Sequence, residues 1–501
     1  MLIAENTRYL VIPVSRSAPV TKLRLKDGER LLIDLDATVD FQAPESVMYY
    51  DLTPFMGKDV TVTHESGKSF GFSEKKPAPP HESVRPKLHF SAEYGWLNDP
   101  NGLIYYEGRW HLFFQHNPVG VRWGNMHWGH AFSNDLVRWE ESRDVLIPDE
   151  MGDMYSGSAI IDHDNLLGLN TPEHEALLLF YTAAGGNREL CRDAKYTQCL
   201  AYSTDGGKTF TKYAKNPIVP HIIGGNRDPK VMRDPVSGLY LMALYLDGDR
   251  YALLTSKNLI DWTEIQTLSL PGDNECPDIF RMNGRWVLGG AHDCYTVCDF
   301  DPARGFVNLS STKKLGFGKC YAAQSFAEPD SRRIRISWNR LNIPSPNFNC
   351  AMGTPCELKL AGDELFIAPA AEFEAAYTLS ETLEQLPALG VSRTVPGPCE
   401  LILELSRMEE PLTLYLHGNK LVLDAAANTL SVGNAVMPLC AADGRVSVRI
   451  LDDYSGIEVF AGLTEHGARV YGVFDGTITS DAVTLMGEGS LDRLTIRKIK
   501  E

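Results

Sequence analysis

Three short acidic turns hold the side chains of this chain best suited to chemistry: Asn98-Asp99-Pro100, Arg227-Asp228-Pro229 and Glu275-Cys276-Pro277-Asp278. The first lies within Trp96-Leu97-Asn98-Asp99-Pro100-Asn101-Gly102, in an otherwise aromatic, strand-forming run. Pro there removes a ladder hydrogen bond, and Asn, Asp and Gly favour a turn. A carboxylate on a stiff turn at a strand end is poor core material and is placed to face a pocket. Each box taken alone is an ordinary strand-end acid. Arg233-Asp234-Pro235 makes the point: it repeats the core of the second box, lacks the Lys that follows there, and is expected in a plain turn. Three acidic boxes in one chain suggest sugar cleavage, in which one carboxylate meets a cationic centre and another moves a proton.

Acids so far apart in sequence need a scaffold that gathers them. Five strands of similar character recur: Trp110–Gln115, Leu177–Tyr181, Tyr240–Tyr245, Trp286–Gly290 and Ile334–Trp338. Three of them are followed by a second shared pattern, Ser133 to Trp139, Ser203 to Phe210 and Ser256 to Trp262. In each, a Ser leads into an acid or amide turn, and an aromatic residue opens the next strand. Such repeats predict the antiparallel blades of a five-bladed β-propeller, with an irregular β-sandwich as the alternative. A propeller brings the inner strands of successive blades to one funnel mouth.

The boxes, taken with Phe114-Gln115-His116-Asn117-Pro118, Trp123-Gly124-Asn125-Met126-His127-Trp128-Gly129-His130 and Tyr155-Ser156-Gly157-Ser158, form a series of six motifs. In order and content the series resembles glycoside hydrolase family 32, the family of invertases, levanases, inulinases and other β-fructosidases. The resemblance covers residues 86 to 501, and Ser455-Gly456-Ile457-Glu458-Val459-Phe460 is similar to a strand of the family's C-terminal sandwich. The region before it looks like the extra β-domain of some bacterial levanases. The resemblance implies an all-β protein, with a five-bladed propeller followed by a β-sandwich.

It also implies roles. Asp99 matches the nucleophile, Glu275 the general acid/base, and Asp228 the transition-state stabiliser that binds fructose hydroxyls. Asn98, Gln115, Trp123, Tyr155, Ser156 and Trp338 match positions lining the fructose pocket. Arg227 is expected to hydrogen-bond a carboxylate and help keep the third acid ionised. Glu275 should be buried and sit close to Asp99, both of which would favour its protonated form. The implied activity is retaining, exo-acting hydrolysis of terminal β-D-fructofuranosyl units, from short fructo-oligosaccharides, levan- or inulin-type chains, or sucrose. The implied partner is a small-molecule or oligosaccharide fructoside, and no metal or organic cofactor is implied. The alternatives are a fructosyltransferase on the same scaffold and a non-catalytic fructan-binding protein; the presence of all three acids speaks against the latter. His127 and His130 invite a metal reading, but no third ligand is evident.

Three departures from the family pattern fall late in the propeller. Asn274 replaces an aromatic residue, Lys319-Cys320-Tyr321-Ala322 replaces an acid-led segment, and Pro355-Cys356-Glu357-Leu358 lacks an Arg. They point to an altered leaving-group subsite, a preference for short fructo-oligosaccharides or an unusual fructoside over sucrose, and Lys319 as a cation that could contact the leaving group.

Composition sets the outer limits. At 501 residues the chain is too long for one core. Its 44% hydrophobic and 23% charged content is that of a soluble globular protein. A net charge of −17 argues against nucleic acid or an anionic membrane as partner. No segment is long and apolar enough to span a bilayer. No signal-peptide core opens the chain, and the ten cysteines are scattered, so free thiols and a cytoplasmic location are expected over disulfide or metal pairs at Cys294 and Cys298 or Cys350 and Cys356. Short strands at Tyr9–Val14, Lys22–Leu25, Leu31–Leu35 and Val60–Thr63 predict an N-terminal β-domain over residues 1–75, whose acids lie in no comparable box. A Pro-rich linker follows over 76–85, then the propeller over 86–366 and the sandwich over 367–501, with a short helical stretch at Ala370–Leu379. Oligomeric state and linkage preference are not legible.

Overall fold

The computed structural model describes residues 1–500 except 330, 388, 389 and 409. Five antiparallel sheets form the centre. Blade 1 comprises Gly95–Tyr106, Arg109–Asn117, His127–Ser133 and Glu140–Glu141; blade 2 comprises Asp153–Ile161, Leu177–Ala184, Thr197–Ser203 and Thr211–Lys212. Blade 3 runs through Arg227–Arg233, Tyr240–Asp247, Arg250–Ser256 and Thr263–Ser269, and blade 4 through Asp278–Met282, Arg285–Gly289, Cys294–Asp301 and Gly305–Val307. Blade 5 holds Cys320–Ser325, Arg333–Asn339, Cys356–Ala361 and Glu364–Pro369. The first strands pack on one another in sequence, and that of blade 5 returns to that of blade 1, so the ring closes. The molecule is a five-bladed β-propeller. The five recurrent sequence strands are the second strand of each blade.

The shared Ser pattern has one physical cause. Ser133, Ser203 and Ser256 each accept, through Oγ, the backbone N–H two residues on, at 3.1, 3.4 and 3.2 Å. The acid or amide at that position then caps the turn, and Trp139 and Trp262 donate their indole N–H to the carbonyls of Leu136 and Leu259. This is a side-chain turn that reverses the chain before the outermost strand.

A β-sandwich follows. One sheet contains Tyr377–Pro387, Cys399–Met408, Val446–Asp453, Gly456–Thr464, Gly467–Asp475 and Gly489–Ile499; the other is six-stranded and is centred on Leu412–Leu416. Period-two alternation explains the core: Leu401, Leu403 and Leu405 face Leu412, Leu414 and Leu416 across it. The expected 366/367 boundary falls inside the strand Glu364–Pro369, whose Ile367 pairs with Ala468 of the sandwich. The expected helical stretch is a 3₁₀ turn at Ala371–Ala376, after which Tyr377 already belongs to a strand.

At the N-terminus two three-stranded sheets pack face to face, one through Leu10 and Ile12, the other through Leu23, Leu25, Ile33 and Leu35. Their core continues into the propeller through Tyr94, Val119 and Val121. The thiols of Cys294, Cys298, Cys350 and Cys356 point at the carbonyls of Gly272, Trp286, Leu341 and Thr354, and all ten cysteines are free.

A buried polar knot ties propeller to sandwich. His89 sits 2.9 Å from Asp453 and 3.2 Å from Glu458, both carboxylates being almost wholly buried. Asp453 also accepts the N–H groups of Lys87 and Leu88, and Glu458 accepts from Thr354 N–H and Tyr471 hydroxyl.

Candidate active site

The innermost strands supply the site, and irregularity in them aims the side chains. Pairing slips between Leu97 and Pro100, Tyr155 and Gly157, Arg227 and Lys230, and Tyr321 and Gln324. A bulge bends a strand and re-aims the residues within it. Asp99, Ser156, Asp228 and Tyr321 all lie at such slips, in four different blades. Glu275 instead occupies the turn before blade 4. Asp228, Glu275 and Cys276 hold φ values of +65°, +53° and +33°, a region costly for side chains other than Gly, so backbone strain concentrates at two of the three acids.

These residues enclose a pocket of about 340 Å3 lined by Asn98, Asp99, Gln115, Trp123, Tyr155, Ser156, Tyr196, Arg227, Asp228 and Glu275. A larger cleft of about 780 Å3 lies between the N-terminal sheets and blades 1 and 2, and none of the three acids lines it. Convergence of the acids, not cavity size, marks the site.

Asp99 accepts a 2.8 Å hydrogen bond from the Ser156 hydroxyl. Burial pushes its carboxyl above the usual range and the charge of Glu275 adds to this, against the hydrogen bonds from Ser156 and Asn98. Asp228 takes the Cys276 N–H at 3.0 Å, while its own N–H is held by Thr182. The Cys276 sulfur lies 3.6 Å from Asp99 and 3.5 Å from Asp228, bridging the two carboxylates. Arg227 donates to Glu275 at 2.5 Å, its Nε stands 3.7 Å from Asp228, and its guanidinium lies 4.6 Å from the Tyr245 ring centre. Tyr321 donates to the other Glu275 oxygen at 2.6 Å.

Two expectations change here. The Glu275 side chain is 32% exposed and gripped by Arg227 and Tyr321, not buried. The turn before blade 4 projects it into the funnel, where a guanidinium reaches it. Arg227 does bond a carboxylate, but that of Glu275. Asp228 is the buried acid, and burial together with the charges of Glu275 and Asp99 pushes its carboxyl up to about 7 despite Arg227.

That shift carries a sign. A carboxyl whose folded pKa exceeds its unfolded value of about 4 destabilises the fold when charged; the cost is absent below that range and complete above about 7. Asp228→Asn, which keeps an acceptor for Cys276, should therefore raise the melting temperature at pH 8 and much less at pH 5. Calorimetry of both proteins at the two pH values checks this. An equal shift at both, or a loss at pH 8, would contradict it.

Trp123 stands on the rim, 57% exposed, with its ring 6.1 Å from Tyr155 at 74°. Asn98 and Gln115 line the floor. Trp338 is not among the lining side chains. It lies opposite Tyr321 on the second strand of blade 5, with its ring 6.0 Å from Tyr321 and 5.8 Å from Trp96, so it backs the wall. Lys319 pairs with Asp475 of the sandwich at 3.1 Å and lines a groove there, and Cys356 is buried. These two departures therefore do not support an altered leaving-group contact. Asn274 does lie near the acid, its Oδ1 standing 3.4 Å from the Tyr321 hydroxyl. His127 is packed on Tyr50 and His130 on Phe113. Asp234 caps a turn through Ser237, as expected. The sequence reading did not select Tyr321, Tyr196 or Cys276 as site residues. The signal for Tyr321 and Cys276 was adjacency to motif segments already singled out.

A family model described as "Glycosyl hydrolases family 32 N-terminal domain" matches residues 89–369, more than half of the chain. A levanase of Bacillus subtilis is 33% identical over 447 residues, covering 76% of this chain and 65% of its own length. An invertase of Schizosaccharomyces pombe is 32% identical over 332 residues, covering 58% and 56%. The chain thus spans less than two thirds of either relative. The crystal structure of an exo-inulinase from Aspergillus awamori superposes with a TM-score of 0.73 at 25% identity, covering 83% of this chain and 98% of that one.

Proposed function

The chain belongs to glycoside hydrolase family 32, and we propose that it is a retaining β-fructosidase that removes terminal β-D-fructofuranosyl units from short fructans or sucrose. The observation that carries this reading is the meeting of Asp99, Asp228 and Glu275 in one pocket whose other lining side chains, apart from Arg227, are amides, hydroxyls and aromatic rings. Such walls suit a neutral sugar, since amides and hydroxyls read its hydroxyls and a ring covers its apolar face. The pocket sits at the funnel mouth with the innermost strands behind it, which favours a chain end over a chain interior.

Asp99 is oriented by Ser156 to attack the anomeric carbon. A bond forms from its carboxylate oxygen to that carbon as the bond to the leaving oxygen breaks, and Glu275 gives its proton to that oxygen. In the second half, water attacks the same carbon, Glu275 takes the proton, and the ester to Asp99 breaks. Asp228 holds the sugar hydroxyls as positive charge develops. Arg227 grips Glu275 and must release it for the acid to act; Asp228, 3.7 Å from Nε, is the acceptor to which it can turn.

Incubating the protein with sucrose, kestose and a β-2,6-linked dimer tests the reading. Fructose should be released, and NMR of the first turnovers should show β-fructofuranose. Initial release of the α anomer would refute retention, and no fructose from any substrate would refute the activity.

A further inference from the structure

We propose that the N-terminal β-domain is a positioning element of the substrate pocket: through Arg188 and Asn125 it fixes the Trp123 loop and the strand that carries Tyr155 and Ser156. The proposal deepens the fructoside reading and rests on it for its kinetic arm alone.

Trp123 is more than half exposed on the non-strand segment between Asn117 and His127, followed by Gly124 at φ +145° and Asn125 at φ +51°. A ring on such a segment stacks usefully on a sugar only if the segment is held in advance, because ordering it at binding costs affinity. What holds it is Asn125, which is 3% exposed. Its Oδ1 accepts the Asp36 N–H at 2.8 Å, and its Nδ2 donates to the Asp36 carbonyl at 2.7 Å, so one side chain pairs with the edge of the N-terminal domain as a strand residue would. The same Oδ1 accepts from Arg188 Nη2 at 3.1 Å.

Arg188, 5% exposed, is the hub. It donates to the Asp34 carbonyl of the N-terminal domain and to the carboxylate of Asp153, two residues before Tyr155. The Asp34 carboxylate in turn accepts the N–H groups of Glu189 and Leu190, and Arg24 pairs with Glu189 at 3.0 Å. Next to Arg188 in the chain, Asn187 donates to the Tyr155 hydroxyl at 3.2 Å. Asp34 and Asp153 are also buried, so the network is held by packing rather than by surface charge. Asp34 and Asp36 of the N-terminal domain thus clamp both halves of the Trp123–Tyr155 rim, although neither lines the pocket.

The test uses the full-length protein with Arg188→Lys, which keeps the charge but not the planar fork, and Asn125→Gly, which tolerates the positive φ and removes the side chain that makes the bonds. Each should raise KM for kestose about tenfold while kcat changes less than about threefold, because ordering of the pocket and not the chemistry is lost. Combined with Trp123→Ala, Asn125→Gly should add little, since it acts through that ring, whereas Arg188→Lys should keep the part of its effect that runs through the Tyr155 strand. Acrylamide quenching of Trp123 emission, taken as the difference from Trp123→Phe, should increase in both variants. That arm needs no turnover, so it stands even if the fructoside reading fails. Unchanged quenching in either folded variant, or a KM loss for Asn125→Gly that adds fully to that of Trp123→Ala, would overturn the proposal. If Arg188→Lys does not fold, Asn125→Gly decides alone.

Discussion

Asp99→Ala and Glu275→Ala should each leave a folded protein and reduce kcat by at least roughly 10²- to 10⁴-fold, the range of general acid–base help. Neither side chain supports the core. Asp99 faces the pocket and is held by Ser156, and Glu275 is partly exposed between Arg227 and Tyr321. Removing Asp99 also removes one of the charges that push the Asp228 carboxyl up, so its loss should not weaken the fold. The two variants should differ in kind. Without Glu275 a substrate with a highly acidic leaving group still leaves unaided, so an aryl β-fructoside should lose much less rate than sucrose. Without Asp99 both should fail together. A variant of either that retains more than about a tenth of kcat, a loss under about 1.4 kcal/mol, would contradict the assignment.

The second large effect concerns stability. His89→Ala should destabilise the protein by about 3–5 kcal/mol, because it strands two buried carboxylates whose charges His89 offsets. Burial by itself would lower the imidazole's pKa, but Glu458 and Asp453 outweigh it and hold the ring well above its ordinary value. Burial would raise the Glu458 carboxyl, and His89 with its hydrogen-bonding neighbours holds it low instead. The signs follow. The contribution of His89 is complete below its unfolded value of about 6.5 and is lost progressively as pH rises toward the folded one. That of Glu458 is present above its unfolded value, in the usual carboxylate range, and is lost as pH falls below it. Wild type should therefore be most stable in the window between, and the difference from His89→Ala should shrink on both sides. Urea unfolding at pH 6 and pH 9 checks it; a difference that grows toward pH 9 would show that the ring is not held protonated.

Local chemistry was open to reading. Turn-forming Asn, Pro and Gly around Asp99 and Asp228 announce a carboxylate that cannot pack in a sheet interior. The N-terminal strand Tyr9–Val14 is legible to the residue because it is a compact run of aromatic, β-branched and aliphatic residues. The five repeated strands are the second strand of each blade, and in blades 2 and 3 that strand is buried along nearly its whole length and almost uniformly apolar. Ser46–Asp51 and Gly71–Ser73 are not legible: the first alternates in burial, but its buried face opens on Ser46 and its other face carries Val47 and Tyr49, so hydropathy does not alternate, and the second has only three residues.

Sequence alone determined which residue types stand in the three acidic boxes and that five similar units follow one another, since turn propensity and strand periodicity act over a few residues. Only tertiary structure decided how those boxes behave. Closing the ring set Arg227 on Glu275, put Tyr321 at its other oxygen, and left Asp228 as the buried acid. It turned Trp338 to the back of the wall and sent Lys319 to Asp475. It also brought Asp34 and Asp36 against Arg188 and Asn125, from parts of the chain with no shared motif. Burial and charge pairing depend on what the fold brings within a few ångströms, and one-dimensional spacing carries no record of that distance.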